Sequence, residues 1–286
     1  MLYVFRFTFY SLHFTSFIFL MATFPSPRII TLLTDFGTQD AFVSIMKGVI
    51  LGINPQVHLV DLSHAVPPQD IQSGALILRS AVPFFPPGTI HVAVVDPGVG
   101  SLRRAILVET QRCFFIGPDN GLLSLAVATD SIVRIIHLTN TQYFLSTVSS
   151  TFHGRDVFAP VAAHLSRNVP TEAFGPSVAA FEQFSLPPVE RTATQVAGCV
   201  IAIDRFGNLI TNITAADLLP FPTARLSVSI GSVNLQGMAS TYASVPVGTV
   251  VALINSWGML EIAVRNGSAA QHLNAHAGAL VWVKSM

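Results

Sequence analysis

From residue 29 onward, short apolar runs alternate with stretches of helical spacing. Residues 29–35 (IITLLTD) form a continuous apolar run that ends in Thr-Asp-Phe-Gly, the pattern of a strand buried in a parallel sheet. Apolar side chains then recur at helical spacing through Phe42, Ile45, Met46, Val49 and Ile50, and Asn54-Pro55 stops the helix. The pattern predicts a second strand at 57–62, a second helix at 70–85 ended by Pro86-Pro87-Gly88, and a third strand at 90–96 (IHVAVVD). Such β-α-β-α-β alternation predicts an open, mostly parallel α/β sheet with right-handed crossovers. Further strands are expected at 105–109, 113–116 and 133–138, and a helix from near His153 to Asn168.

Residues 185–197 (SLPPVERTATQVA) read as a linker by composition. Beyond them helical spacing vanishes. Short β-rich runs follow at 200–204, 226–230, 250–254, 260–264 and 280–283, separated by Gly and Asn turns, which describes a small β-barrel or sandwich. The expected fold is therefore an N-terminal open, mostly parallel α/β sandwich domain (29–184), a linker (185–197) and a smaller C-terminal all-β barrel domain (198–286).

Composition narrows the function classes. The 286 residues are 51% hydrophobic and only 10% charged, against about 25% charged in ordinary soluble domains. That excludes a disordered chain. The 15 basic residues balance 15 acidic ones, and no basic cluster stands out, so nucleic-acid binding is not expected. Scarce charge also limits solvent-facing area, which favours subunit association. Cys113 and Cys199 lie too far apart for a zinc site or a disulfide framework and read as small buried hydrophobes. Paired-His spacing is missing, so no metal is expected.

Residues 1–28 differ from the rest. Seven of the 21 phenylalanines fall within residues 1–24, and residues 7–24 carry no formal charge. Three readings stand: translation that starts at Met21, an export signal headed by Arg6 but lacking an A-x-A cleavage site, or an anchor of borderline length for a membrane span. The domains themselves call for no membrane, and a cytoplasmic location is expected.

In an open α/β sheet, ligands bind beyond the carboxyl ends of the strands. Asp35, Asp61 and Asp96 each close an apolar strand. Any one of them could simply cap a turn; three together point to a site. The DPGVG stretch after Val95 lacks the spacing of a phosphate-binding loop, so its glycines are read as a sharp turn that holds Asp96 and delivers Arg103 and Arg104 nearby. Residues 149–160 (SSTFHGRDVFAP) place His153, Arg155 and Asp156 at a helix start, either as a capping segment with a local ion pair or as part of a site. In the second domain, 203–213 (IDRFGNLITNI) and 253–267 (LINSWGMLEIAVRNG) interrupt β-rich text with Asp, Arg and Asn. These are hairpin turns, or the amide and carboxylate that a nucleobase edge and an ammonium group require.

Taken in order, LLTDFGTQDAFVSIMKG, VDLSH, VAVVDPGVGSLRRA, PDNG, STFHGRDVFAPVAA, DRFGNLITNI and NSWGMLEIAVRNG resemble the S-adenosyl-L-methionine (SAM) hydroxide adenosyltransferases, which are homologous to the fluorinating and chlorinating SAM enzymes. The resemblance covers residues 29–284. It implies a homotrimer with sites between neighbouring subunits, SAM as substrate, no cofactor, and hydrolysis of SAM to adenosine and L-methionine. It puts a catalytic triad on Asp96, Arg103 and His153, ribose recognition on Asp35, and contacts with the methionine amine on Asp40, Asp204 and Ser256. Adenine recognition falls on Asn208, with Phe206 and Phe152 as apolar walls. Gln69 stands where the halogenating relatives have a tryptophan, and Trp257 where the fluorinase has an arginine beside the methionine carboxylate.

The alternatives are a halide-using SAM enzyme and a SAM-binding module without turnover. The fluorinase presents a tyrosine and a serine where this chain has His153 and Gly154, and lacks the counterparts of Asp96 and Arg103. A binding module has no need of the three together. The chemistry is coherent: C5′ of SAM already carries a sulfonium leaving group, so what is needed is a nucleophile. A guanidinium beside a water favours its ionised form, and His with Asp can remove or delocalise the proton.

Because the α/β pattern begins only at Ile29, a chain starting at Met21 is expected to fold and keep full activity. Adenosine release from SAM by the shortened chain measures this, and loss of solubility or activity overturns the late-start reading.

Overall fold

The computed structural model describes residues 28–221 and 226–285, so the readings of residues 1–27 lie outside the described residues. The first part of the chain supplies β1 (Ile29–Thr34), α1 (Phe42–Ile53), β2 (His58–Ser63), α2 (Ile71–Ala81), β3 (Ile90–Val94), β4 (Ala105–Thr110), β5 (Phe114–Pro118), α3 (Ser124–Val127), β6 (Ile132–His137) and α4 (Ala159–Ser166). Its six strands are ordered β2-β1-β3-β5-β4-β6. The pairs β2–β1, β1–β3 and β3–β5 are parallel, and β4 runs antiparallel to both β5 and β6.

Strand side chains alternate between two cores, which explains the unbroken apolar runs. Ile30, Leu32, Val92 and Val94 pack with Met46 and Ile50 of α1 and Val161, Ala162 and Leu165 of α4. Leu33, Ala93 and Val95 pack on the other face with Leu78 of α2 and Ala126 and Val127 of α3. Helix α1 buries Val43, Met46 and Ile50 but leaves Phe42 and Ile45 exposed. Phe42 instead meets the rings of Phe36 and Phe152 edge-on. Helix α2 is capped by Asp70, whose side chain accepts from the Ser73 amide. It tightens into a 3-10 turn at Val82–Phe84, where Pro83 can donate no amide. The helix expected from His153 opens instead as a wide π-type turn, Gly154–Phe158, before α4 begins.

The second sheet contains β7 (Glu190–Arg191), β8 (Gln195–Ile203), β9 (Leu209–Thr214), β10 (Leu226–Ile230), β11 (Val233–Gln236), β12 (Val250–Ile254), β13 (Met259–Val264) and β14 (Leu280–Ser285), with short helices α5 (Ala215–Leu218) and α6 (Ala269–His272). Its order is β11-β10-β14-β8-β9-β13-β12, with β7 paired to β8, and every pairing is antiparallel. The two edges nearly close into a barrel: the Ala239 amide, just past β11, donates to Ala252 of β12 at 2.8 Å. Strand β8 begins at Gln195, inside the stretch read as linker. Strands β9 and β11 had no predicted counterpart of their own, because Thr211 and Asn212 interrupt the first and Asn234 and Gln236 alternate through the second. Helix α2 rests on the barrel, with Leu76 against Ile201, Ile210 and Met259 and Gln72 Nε2 donating to the Ile201 carbonyl at 2.8 Å. Among the described residues no helix is long and apolar enough to cross a membrane.

Asn212 fastens the connecting segment to the barrel. Its Oδ1 accepts from the Cys199 amide at 2.8 Å and its Nδ2 donates to the Pro187 carbonyl at 2.9 Å, all with the side chain buried. Asn212→Ala leaves both backbone groups unpaired and is expected to cost roughly 1–3 kcal/mol. A lowered urea midpoint with an unchanged slope checks this.

Candidate active site

Two residues past β3 the chain turns sharply at Asp96, with the Val99 amide bonded back to the Asp96 carbonyl at 3.2 Å. Gly100 sits at φ +77°, a left-handed conformation, and a Cβ there would collide with the Ser150 carbonyl. That close approach presses the 96–101 loop against the segment carrying Phe152 and His153. Ser101 Oγ donates to the Gly98 carbonyl at 2.7 Å and accepts from the Arg103 amide at 3.2 Å, which returns the chain toward Asp96.

Arg103 then grips Asp96 with both arms. Nε donates to Oδ1 at 2.9 Å and Nη2 to Oδ2 at 2.5 Å, with the two side chains only 10% and 5% exposed. The same Nη2 lies 2.7 Å from His153 Nδ1, and the guanidinium lies over the ring of Phe158. A guanidinium can only donate, so Nδ1 must accept and the neutral imidazole carries its proton on Nε2. The basic nitrogen of His153 is therefore already occupied by the Arg103 bond. Burial, and then the neighbouring Arg103 charge, hold the His153 imidazole below its ordinary value, while Asp96 and Asp156 oppose the shift.

Asp96 and His153 open into a cavity of about 370 Å³ that is also lined by Asp35, Phe36, Gln69 and Phe152. Asp35 follows β1, and its Oδ2 accepts from the Gln69 amide at 2.8 Å. Gln69 itself stands at φ +67°, a strained conformation for a residue with a Cβ and of the kind found at ligand sites. Phe36, Phe42 and Phe152 pack edge-to-face beside it.

A larger cavity of about 680 Å³ lies on the barrel and includes Asp204, Phe206, Asn208, Ser256 and Trp257. Asp204 Oδ1 accepts from the amides of Phe206 and Asn208, and its Oδ2 accepts from Asn208 Nδ2 at 2.9 Å. Phe206 is 77% exposed. The structure thus gathers Asp35, Gln69, Asp96, Phe152 and His153 around one cavity, with Arg103 bonded to Asp96 and His153 behind its lining, and Asp204, Phe206, Asn208, Ser256 and Trp257 around another. Asp40 is exposed and lines neither cavity. Arg104 turns away to Asp119, and Arg155–Asp156 form a local ion pair in which Asp156 also accepts from the Ser149 amide. Asp61 pairs with Lys47 and lies 3.0 Å from His64 Nε2, outside both cavities. Sequence reasoning missed Tyr242 and Glu261, which line the larger cavity. An acid inside the apolar run MLEIAV was the available clue to Glu261. Among the described residues no group of three or more His, Cys, Asp or Glu side chains is placed to hold a metal ion.

Residues 30–175 match the N-terminal domain of SAM hydroxide adenosyltransferases and residues 198–282 the C-terminal domain. The chain belongs to the SAM hydroxide adenosyltransferase family. Among its relatives, the (R)-S-adenosyl-L-methionine hydrolase of Thermus thermophilus is 38% identical over 258 residues, covering 88% of this chain and 97% of the relative. That of Salinispora tropica is 36% identical over 257 residues, covering 89% and 96%. A solved structure of an uncharacterized conserved protein from Thermotoga maritima superposes with a TM-score of 0.83 at 34% identity, covering 89% of this chain and 99% of that one.

In this family member the imidazole should titrate below its usual midpoint of about 6.5, because burial disfavours its charged form and the cation beside it resists a second positive charge. NMR titration of His153 is the measurement. Arg103→Gln removes that cation while Asp96 stays, so the midpoint should move up.

Proposed function

We propose that this chain hydrolyses SAM to adenosine and L-methionine by in-line attack of an activated water at C5′, with Asp96, Arg103 and His153 activating the water. The observation that carries this reading is the hydrogen-bonded line Asp96–Arg103–His153 at the carboxyl end of β3, opening into the cavity that holds Asp35. Water attacks C5′ as the C5′–S bond breaks, the electron pair leaves with sulfur, and the water's two protons end on the adenosine hydroxyl and in solvent. The sulfonium needs no acid to leave, and the reaction consumes SAM as substrate with no cofactor.

The guanidinium charge supports the ionised form of the nearby water. With Nδ1 accepting from Arg103, the Nε2–H of His153 donates toward the attacking oxygen, which holds it in line and, with the guanidinium, favours its ionised form before attack. Asp96 fixes the guanidinium and keeps the cluster's net charge low enough to admit a cationic substrate. At low pH the imidazolium can no longer accept from Arg103, so the cluster loses its geometry and the rate falls as pH drops through the His153 midpoint.

Asp35 is assigned to the ribose, Asn208 to adenine with Phe206 and Phe152 as walls, and Asp204, Ser256 and Asp40 to the methionine amine. Gln69 and Trp257 complete the two rims. Apart from Asp40, these residues line two separate cavities in one chain with no residue in common, which supports a homotrimer whose sites form between neighbouring subunits. A halide reaction is disfavoured at Gly154, because a Cβ there would sit 3.2 Å from both Met46 Sδ and Phe152 Cε2, leaving little space for the fluorinase's serine. Two unpaired cysteines suit the reducing cytoplasm to which the reading assigns the protein.

His153→Ala and Asp96→Asn should each lower kcat by about 100-fold or more while SAM binding stays near wild type. Asn208→Ala should chiefly raise KM, since it removes a contact shared by ground and transition states. At SAM concentrations well below the raised KM, mixing Asp96→Ala with Asn208→Ala chains should give more activity than either variant alone. Chromatography of adenosine, with and without added halide, is the assay. A His153→Ala enzyme that keeps kcat and loses SAM affinity sinks the assignment.

A further inference from the structure

Strand β13 sends Leu260, Ile262 and Val264 into the barrel core, so Met259, Glu261 and Ala263 face outward. On that face Glu261 is only 3% exposed, between Leu253 of β12 and Ile210 of β9. Burying a carboxylate is expensive unless a cation accompanies it. Yet none of the ion pairs among the described residues includes Glu261. Arg265, the cation lining the same cavity, directs its Nη1 to the Val245 and Ala243 carbonyls. Facing Glu261 are the Tyr242 hydroxyl, which donates to Oε1 at 2.7 Å, the Asn255 amide, and the like charge of Asp204.

Asn255 makes this arrangement directional. Its Oδ1 accepts from the amides of Trp257 and Met259 at 2.9 and 3.1 Å, so its NH₂ must lie on the other side. The Glu261 carboxylate is near enough to the Asn255 side chain to favour this orientation of the turn that presents Ser256 and Trp257 to the cavity. Burial and Asp204 push the Glu261 carboxyl above its usual range, with Tyr242 and Asn255 pulling it back. Burial and the bond to Glu261 push the Tyr242 phenol up to about 12.

We propose that Glu261 is a positioning residue for the cationic amino-acid end of the substrate: it orients Asn255 and Tyr242, and its unpaired charge, together with Asp204, awaits an ammonium. This rests on the reading of SAM as substrate. A ligand bearing the ammonium should therefore depend on Glu261, whereas neutral adenosine should not.

The test is SAM and adenosine binding by the whole chain, followed through the fluorescence of Trp257 across pH, alongside adenosine formation. Glu261→Gln should weaken SAM binding by about tenfold, leave adenosine binding and kcat within about threefold, and remove the loss of SAM affinity that the wild type shows as Glu261 protonates on acidification. Tyr242→Phe removes a donor that lowers the carboxyl's pKa, so it should move that acid limb to higher pH, and it serves as the second variant if Glu261→Gln fails to fold. Wild-type SAM affinity in Glu261→Gln, equal loss of both ligands, or an unmoved limb in Tyr242→Phe overturns the proposal. A wild type that forms no adenosine but keeps the contrast between the two ligands overturns the hydrolase reading and supports the role of Glu261.

Discussion

The two-armed ion pair between Arg103 and Asp96 is the constraint around which the N-terminal site is built. Removing both charges from water costs several kcal/mol per ion, and only a fork matched to a carboxylate recovers much of that. Both side chains are nearly fully buried, and the third contact of the guanidinium is His153. The loop must therefore double back within seven residues, and it must also touch the 149–153 segment. The first demand is met by the Ser101 bonds and the second by the missing Cβ of Gly100. A lysine at 103 would keep the charge but lose the second bond to Asp96 that leaves Nη2 aimed at Nδ1.

The barrel side follows a different electrostatic logic. Asp204 is anchored by its own turn, with its carboxylate accepting two backbone amides and the Asn208 side chain and Oδ2 keeping room for a further donor. Glu261 is held by neutral donors and has no counter-ion among the described residues. The first acid shapes a loop; the second leaves negative charge unspent inside a cavity. One cavity thus offers a cation and an imidazole N–H to an oxygen, and the other offers carboxylates to a cation. The two cavities have no lining residue in common.

Much of this was legible in the text of the sequence. Strands β1 and β3 announced themselves because burial on both faces leaves few polar positions, and the acids just past their ends stood out against that background. Asp96, Arg103 and His153 could be named because each lies in a short, unusual run. Strands β9 and β11 were less legible, since Thr211, Asn212, Asn234 and Gln236 satisfy or expose polar groups in ways that only the finished sheet defines. The start of β8 was hidden for a related reason: backbone pairing with β14 and β7 extends it through Gln195 and Val196, where composition alone reads as linker.

What the sequence determined by itself was the order of elements, the two-part architecture and the residue types available at strand ends, because burial dictates polarity locally. Tertiary structure decided which of those residues meet. It turned Arg104 to Asp119 and Arg103 to Asp96, left Asp40 and Asp61 outside the cavities, set the His153 proton on Nε2, and buried Glu261 beside Tyr242. The physical reason is range. Periodicity records whether a side chain faces water or core, whereas a hydrogen bond depends on a few tenths of an ångström between segments that are dozens of residues apart in the chain.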